Sequence, residues 1–163
     1  MDPEARSASI LETFSMISSA RPDANPNCAE TFASLRLYGD DLVPEEITRV
    51  LHLEATESAP KGRQTVSPTG RSRTAPTGRW ILESQIHIHS SDLEKHIEWL
   101  LDRLDETGLV PANIPGVSRA DVFCYWMSAT GHGGPELSPE VLGRLAKYRL
   151  TLGLDIYFDP SST

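Results

Sequence analysis

The stretch "DDLVPEEITRVL" (residues 40–51) has a near-twin far downstream, "PELSPEVLGRLA" (residues 135–146). Both read acid, Leu, any residue, Pro, Glu, with an Arg and an aliphatic residue following at the same spacing. The chemistry is that of helix initiation. Proline suits the first helical position, where a missing N–H costs nothing. The glutamates behind it sit against the positive end of the helix dipole. Ile47, Val50 and Leu51 recur at helical spacing, as do Leu142, Leu145 and Ala146. Ser138 is a good N-cap; Val43 is a poor one, which leaves Asp41 or water to cap the first helix.

Each twin is flanked by strand patterns. "TFASLRLYG" (31–39) alternates, with Ala33, Leu35 and Leu37 on one side and Ser34, Arg36 and Tyr38 on the other. "RWILESQIHIH" (79–89) alternates over its whole length, which puts His87 and His89 on one face. "ADVFCYWMSA" (120–129) is apolar on both faces, as a central strand would be. "LTLGLDIYF" (150–158) alternates, with Asp155 and Tyr157 on the same side. Between the twins lies "SDLEKHIEWLLDRLDETG", which reads as a helix. Ser91 and Glu94 form a capping box, Leu93, Ile97, Leu100, Leu101 and Leu104 a stripe, and Gly108 a stop.

The order is strand, helix, strand, helix, strand, helix, strand. Two strand–helix–strand halves joined by the middle helix predict an α+β domain. The expected form is ferredoxin-like, a four-stranded, mainly antiparallel sheet with helices on one face. The alternative is an α/β arrangement with a parallel sheet. Alternation favours the antiparallel choice, because one sheet face then meets water. Residues 30–159 form this single domain. Residues 1–29 are an extension holding one weak amphipathic patch (Ile10, Leu11, Phe14, Met16, Ile17) and a Pro/Asn-rich linker.

The chain has 163 residues and a net charge of −8. Residues 58–79 hold Lys61, Arg63, Arg71, Arg73, Arg79 and no acid. Subtracting these five positive charges from −8 leaves −13 on the rest. So acidic a body repels phosphate backbones, which argues against nucleic acid and suits a basic protein partner. No apolar run approaches the roughly 20 residues of a membrane span, and the start lacks a secretory signal pattern. Cys28 and Cys124 are too few for a disulfide scaffold and read as reduced thiols, so the expected location is cytoplasmic.

Taken together, "YGDDLVPEEITRVLHLEAT", "KG", "GRWILES", "DLEKHIEWLLDRLD" and "ELSPEVLGRLAKYRLTLGLDIY" resemble a bacterial family, domain of unknown function 4279. The resemblance runs from about Phe32 to Tyr157. It implies a small bacterial protein, mostly of one domain, and carries over no catalytic residues. This chain departs from the family pattern between Gly62 and Gly78, where it is expanded.

The expanded part, "KGRQTVSPTGRSRTAPTGRW", repeats Pro-Thr-Gly-Arg and reads as a mobile surface loop over 58–79. Its Arg71 and Arg73 are candidates for a phosphate or an acidic partner. His87 and His89 offer a two-residue chelate, with His52, His96 or His132 as a third ligand, but no strong zinc spacing is present and no metal or other cofactor is expected. "SATGHGGPEL" (128–137) precedes a helix and is Gly-rich, yet matches neither phosphate-loop pattern; His132 is its one candidate base. Arg36, Tyr38, Asp155 and Tyr157, with His87, make a candidate binding surface on the open sheet face. Nothing assembles a nucleophile, a base and an orienting group. The expectation is a non-enzymatic binding module, immunity-like or regulatory, that masks a basic partner such as a toxin domain. The alternative is a small-molecule or nucleotide-binding domain, enzymatic in one version, using the open face or the 131–134 loop.

Overall fold

In the computed structural model, residues 24–158 are described. The amphipathic patch at residues 10–17 lies outside them. The elements run β1 (Cys28–Gly39), α1 (Pro44–Leu51), β2 (Glu57–Ala59), β3 (Gln64–Val66), β4 (Ser72–Thr74) and β5 (Gly78–Glu83). Then follow α2 (Leu93–Thr107), a 3-10 turn (Pro111–Asn113), β6 (Arg119–Ser128), α3 (Pro139–Lys147) and β7 (Thr151–Phe158). Both twins therefore begin helices. Ser138 caps α3 by accepting from the Val141 N–H, whereas α1 starts from Val43 with no side-chain cap.

The fold is mixed α+β, but the sheet differs from the expected plan. It has five strands in the order β2-β5-β1-β6-β7. β1 pairs antiparallel with both β5 and β6, while β6 and β7 run parallel. The two halves do not interleave. Each keeps its own strands as neighbours, and they abut along β1 and β6, the most extensively paired strands. β2 adds a short edge beside β5.

All three helices among the described residues serve one sheet face. Ala33, Leu35 and Leu37 of β1 lie opposite Cys124, Val122 and Ala120 of β6, and this side holds the core. The α2 stripe (Leu93, Ile97, Leu100, Leu101, Leu104) is wholly buried against it. Each such side chain contributes about 1.5–3 kcal/mol by leaving water. α1 is tied down by Trp80, whose Nε1–H donates to Thr48 Oγ1 at 3.1 Å. In α3, Val141 and Leu145 are buried but Leu142 is exposed, against expectation, because the helix rests on α2 by a narrow edge. β7 is also less covered than expected. Leu154, Ile156 and Phe158, on the helix side of this edge strand, remain 40–58 % exposed.

Three local readings are corrected. First, β5 ends at Glu83, not at His89. The Ser84 carbonyl accepts from the N–H groups of His87 and Ile88, so the chain turns there. Second, α2 is capped by Asp92, whose carboxylate accepts from the Glu94 N–H at 3.1 Å; the Ser91 hydroxyl is taken by the Asn25 N–H. Third, residues 58–79, read as a mobile surface loop, hold the end of β2, a paired β3–β4 hairpin and the start of β5.

A buried polar chain joins β1, β5 and α2. Ser84 Oγ accepts from the Ala33 N–H at 3.0 Å and lies 2.8 Å from His96 Nδ1. His96 Nε2 lies 2.9 Å from the Ser90 carbonyl, which only accepts. Nε2 is therefore the protonated nitrogen, and in the neutral ring Nδ1 accepts a hydrogen bond from the Ser84 hydroxyl. Burial holds its pKa below the ordinary 6.5, against the raising effect of the Ser90 carbonyl. The unfolded chain binds this proton more readily, so the contribution is complete above about pH 6.5 and is lost as pH falls through the lower folded value. Thermal unfolding should show a melting temperature that drops between pH 7 and 5, with a shallower drop in His96→Gln.

Candidate functional site

The sheet face away from the helices is built by strand alternation. β1 contributes Phe32, Arg36 and Tyr38; β6 contributes Arg119, Asp121, Phe123 and Tyr125; β7 contributes Asp155 and Tyr157. β6 was expected to be covered on both sides. Instead Phe123 and Tyr125 are half-exposed and are covered by side chains of their own face.

Two clusters result. In the first, the Asp121 carboxylate is 2 % exposed yet sits on the open face. Arg36 Nε donates to its Oδ1 at 2.7 Å, and Arg119 Nη2 to its Oδ2 at 2.6 Å. The Arg36 guanidinium carbon lies over Phe123, 4.3 Å from the ring centroid. Tyr38 is approached by both arginines, at 5.7 and 5.4 Å. In the second cluster, Phe32, Tyr125 and Tyr157 form a row across three strands, with centroids 5.1 and 5.3 Å apart. The Tyr157 hydroxyl donates to Asp155 at 2.9 Å, and this bond raises its pKa. Tyr125 is also raised, first by lost hydration and then by the charges of Glu30 and Asp155. Asp155 is thus bonded to the row at Tyr157, and the Glu30 charge acts on it at Tyr125.

The sequence-based candidates divide accordingly. Arg36, Tyr38, Asp155 and Tyr157 do share the open face, but in separate clusters: the acid on Arg36 is Asp121, and Asp155 bonds Tyr157. His87 is elsewhere, stacked on Trp99 of α2 at 4.4 Å. His89 lies past the turn at Ser84, beside a cleft that also includes Glu30. Among the described residues, no group of three or more His, Cys, Asp or Glu could hold a metal ion. His132 is exposed, with Nδ1 donating to the Thr130 carbonyl at 3.0 Å. Arg71 and Arg73 stand on the β3–β4 hairpin, away from both clusters. The residues that sequence reading missed are Phe32, Arg119, Asp121, Phe123 and Tyr125. The alternation of Asp121, Phe123 and Tyr125 against Val122, Cys124 and Trp126 was their signal.

The Gly-rich loop roofs a cavity of about 330 Å³ that includes Asp92, Gly133, Gly134 and Glu136. The start of α3 beside it already has an anion: the Ser138 N–H donates to the Glu94 carboxylate at 2.5 Å. These acids disfavour a phosphate there. The one serine–histidine pair described above is buried at both residues, so it meets no substrate. The Cys124 thiol is fully buried, and burial pushes its pKa up to about 12.

Asp121 should be the costly residue of this face. Asp121→Asn leaves two guanidiniums facing each other and should destabilise by about 3 kcal/mol in urea unfolding. Arg119→Ala, at an exposed side chain, should cost no more than about 1 kcal/mol.

No curated protein and no solved structure matches this chain. A sequence model for "Domain of unknown function (DUF4279)" matches residues 29–159, from the second residue of β1 to just past β7. The match spans every element described, and the chain belongs to the DUF4279 family.

Proposed function

We propose that this protein is a non-enzymatic binding module, immunity-like or regulatory, whose open sheet face receives a basic protein partner. The observation that carries the proposal is the row Phe32–Tyr125–Tyr157, with the charges of Glu30 and Asp155 acting on it, on a solvent-facing sheet. A lysine or arginine laid on such a ring gains about 0.5–1 kcal/mol, and about 2 when water is excluded. These carboxylates add charge-assisted hydrogen bonds. Tyrosine, phenylalanine and arginine are also the residues that dominate interface energetics. The −13 carried outside residues 58–79 would draw a cationic partner in and speed its docking.

A second reading, a small ligand under the Gly133–Gly134 loop, draws support from the 330 Å³ cavity there. Asp92 and Glu136 in its wall favour a neutral or cationic molecule over a nucleotide.

An arginine-rich peptide titrated into the protein at low salt should give saturable shifts of the Tyr125 and Tyr157 ring signals. Glu30→Gln with Asp155→Asn should weaken binding about tenfold. Shifts spread evenly over the surface, with no dependence on these two carboxylates, would refute the proposal.

A further inference from the structure

The β3–β4 hairpin carries positive charge on one side only. Thr65 lies directly opposite Arg73. Arg63 lies opposite Ala75, since the Ala75 N–H donates to the Arg63 carbonyl and the Gly62 N–H to the Ala75 carbonyl, both at 2.9 Å. Strand alternation then places Arg63, Arg71 and Arg73 on the same face as Thr65. That face meets the main sheet at Ala59 and Arg79, and the join is a cleft of about 190 Å³ lined by Arg63, Thr65, Arg73 and Arg79. Ala59 and Ala75 form its floor, 3 % and 8 % exposed. Arg79 is neutralised by Glu57 at 2.6 Å. Arg63, Arg71 and Arg73 have no ion pair among the described residues. No acid occurs anywhere between residues 58 and 79.

We infer that this hairpin is an arm that binds an acidic protein segment across its arginine face and into the Arg63–Arg73–Arg79 cleft. Charge complementarity carries the assignment. Arg71 and Arg73 alternate along one strand face about 7 Å apart, the repeat at which an extended chain presents every second side chain. Their planar forks accept carboxylates two-pronged, and the Thr65 hydroxyl adds a donor. A phosphate polymer fits less well. It would run beyond the arm over a body that carries −13, whereas a short acidic segment ends where the arm ends. This inference goes beyond the reading above and uses other residues with the opposite charge preference, so the two stand or fall separately.

The test uses the full chain and a peptide of alternating glutamate and serine, about a dozen residues long, followed by fluorescence anisotropy at 50 mM salt. Saturable binding is expected, weakened about 3- to 30-fold by Arg63→Ala with Arg73→Ala and unchanged by Glu30→Gln with Asp155→Asn. No saturation up to millimolar peptide overturns the inference. So does binding that ignores the two arginines. Inorganic phosphate and a single-stranded oligonucleotide serve as competitors. Displacement of the peptide by phosphate at equal concentration, or tighter arginine-dependent binding of the oligonucleotide, would also overturn it.

Discussion

The carboxylate of Asp121 is the point on which the open face depends. It sits on a central strand, nearly sealed from water, with one guanidinium on each oxygen. A lone carboxylate so enclosed would cost several kcal/mol. Held between Arg36 and Arg119, it organises what surrounds it. Arg36 is drawn down over Phe123, and Tyr38 is flanked by both arginines. The central strands can then carry aromatic and charged residues toward solvent without a helix of residues 24–158 above them. That is how a sheet whose middle strand reads as apolar throughout presents one wet side.

The other side is closed by hydrophobic burial and fastened by a few polar bonds. Ser84 and His96 tie the end of β5 to α2, and both residues are satisfied without water. Three acids of α2 hold α3. Glu94 accepts from the Ser138 N–H at the start of α3. Towards its end Asp105 accepts from Lys147, Arg144 and the Tyr148 hydroxyl, and Asp102 accepts from Arg144. These donors, Lys147 first, hold the Asp105 carboxyl well below the usual range. A helix with only Val141 and Leu145 fully buried needs such fastening, because its apolar contact is small.

Much of this was legible in the chain. The alternation of β1 gave the correct sides for Leu35 and Arg36, and the α2 stripe was read residue by residue. Both proline-started helices begin at their prolines, α3 with the Ser138 cap and α1 with the first-turn glutamates but no side-chain cap. What was missed has physical causes. Large apolar and aromatic side chains occur on both sides of β6, so the polar start of its odd side at Arg119 and Asp121 is a faint signal; the contacts with Arg36, Phe32 and Tyr157 show that this side faces water. The apparent strand through His89 stops at Ser84, because a side chain that bonds both Ala33 and His96 pins the backbone into a turn; alternation alone carries no trace of that. Glu94 fits a capping box in sequence, yet its carboxylate is used on α3, a contact 44 residues away. The hairpin at 64–74 lacks an apolar period because both its faces are exposed.

The helices shield one side of the sheet, and among residues 24–158 the other side is left to solvent. Hydroxyl-radical footprinting of the full chain, read by mass spectrometry, tests it directly. Oxidation is expected at Tyr157, Tyr38 and Tyr125, with Trp80, Trp126 and Tyr148 protected until the protein unfolds. Protection of Tyr38, Tyr125 and Tyr157 to the same degree as Trp126 would contradict it.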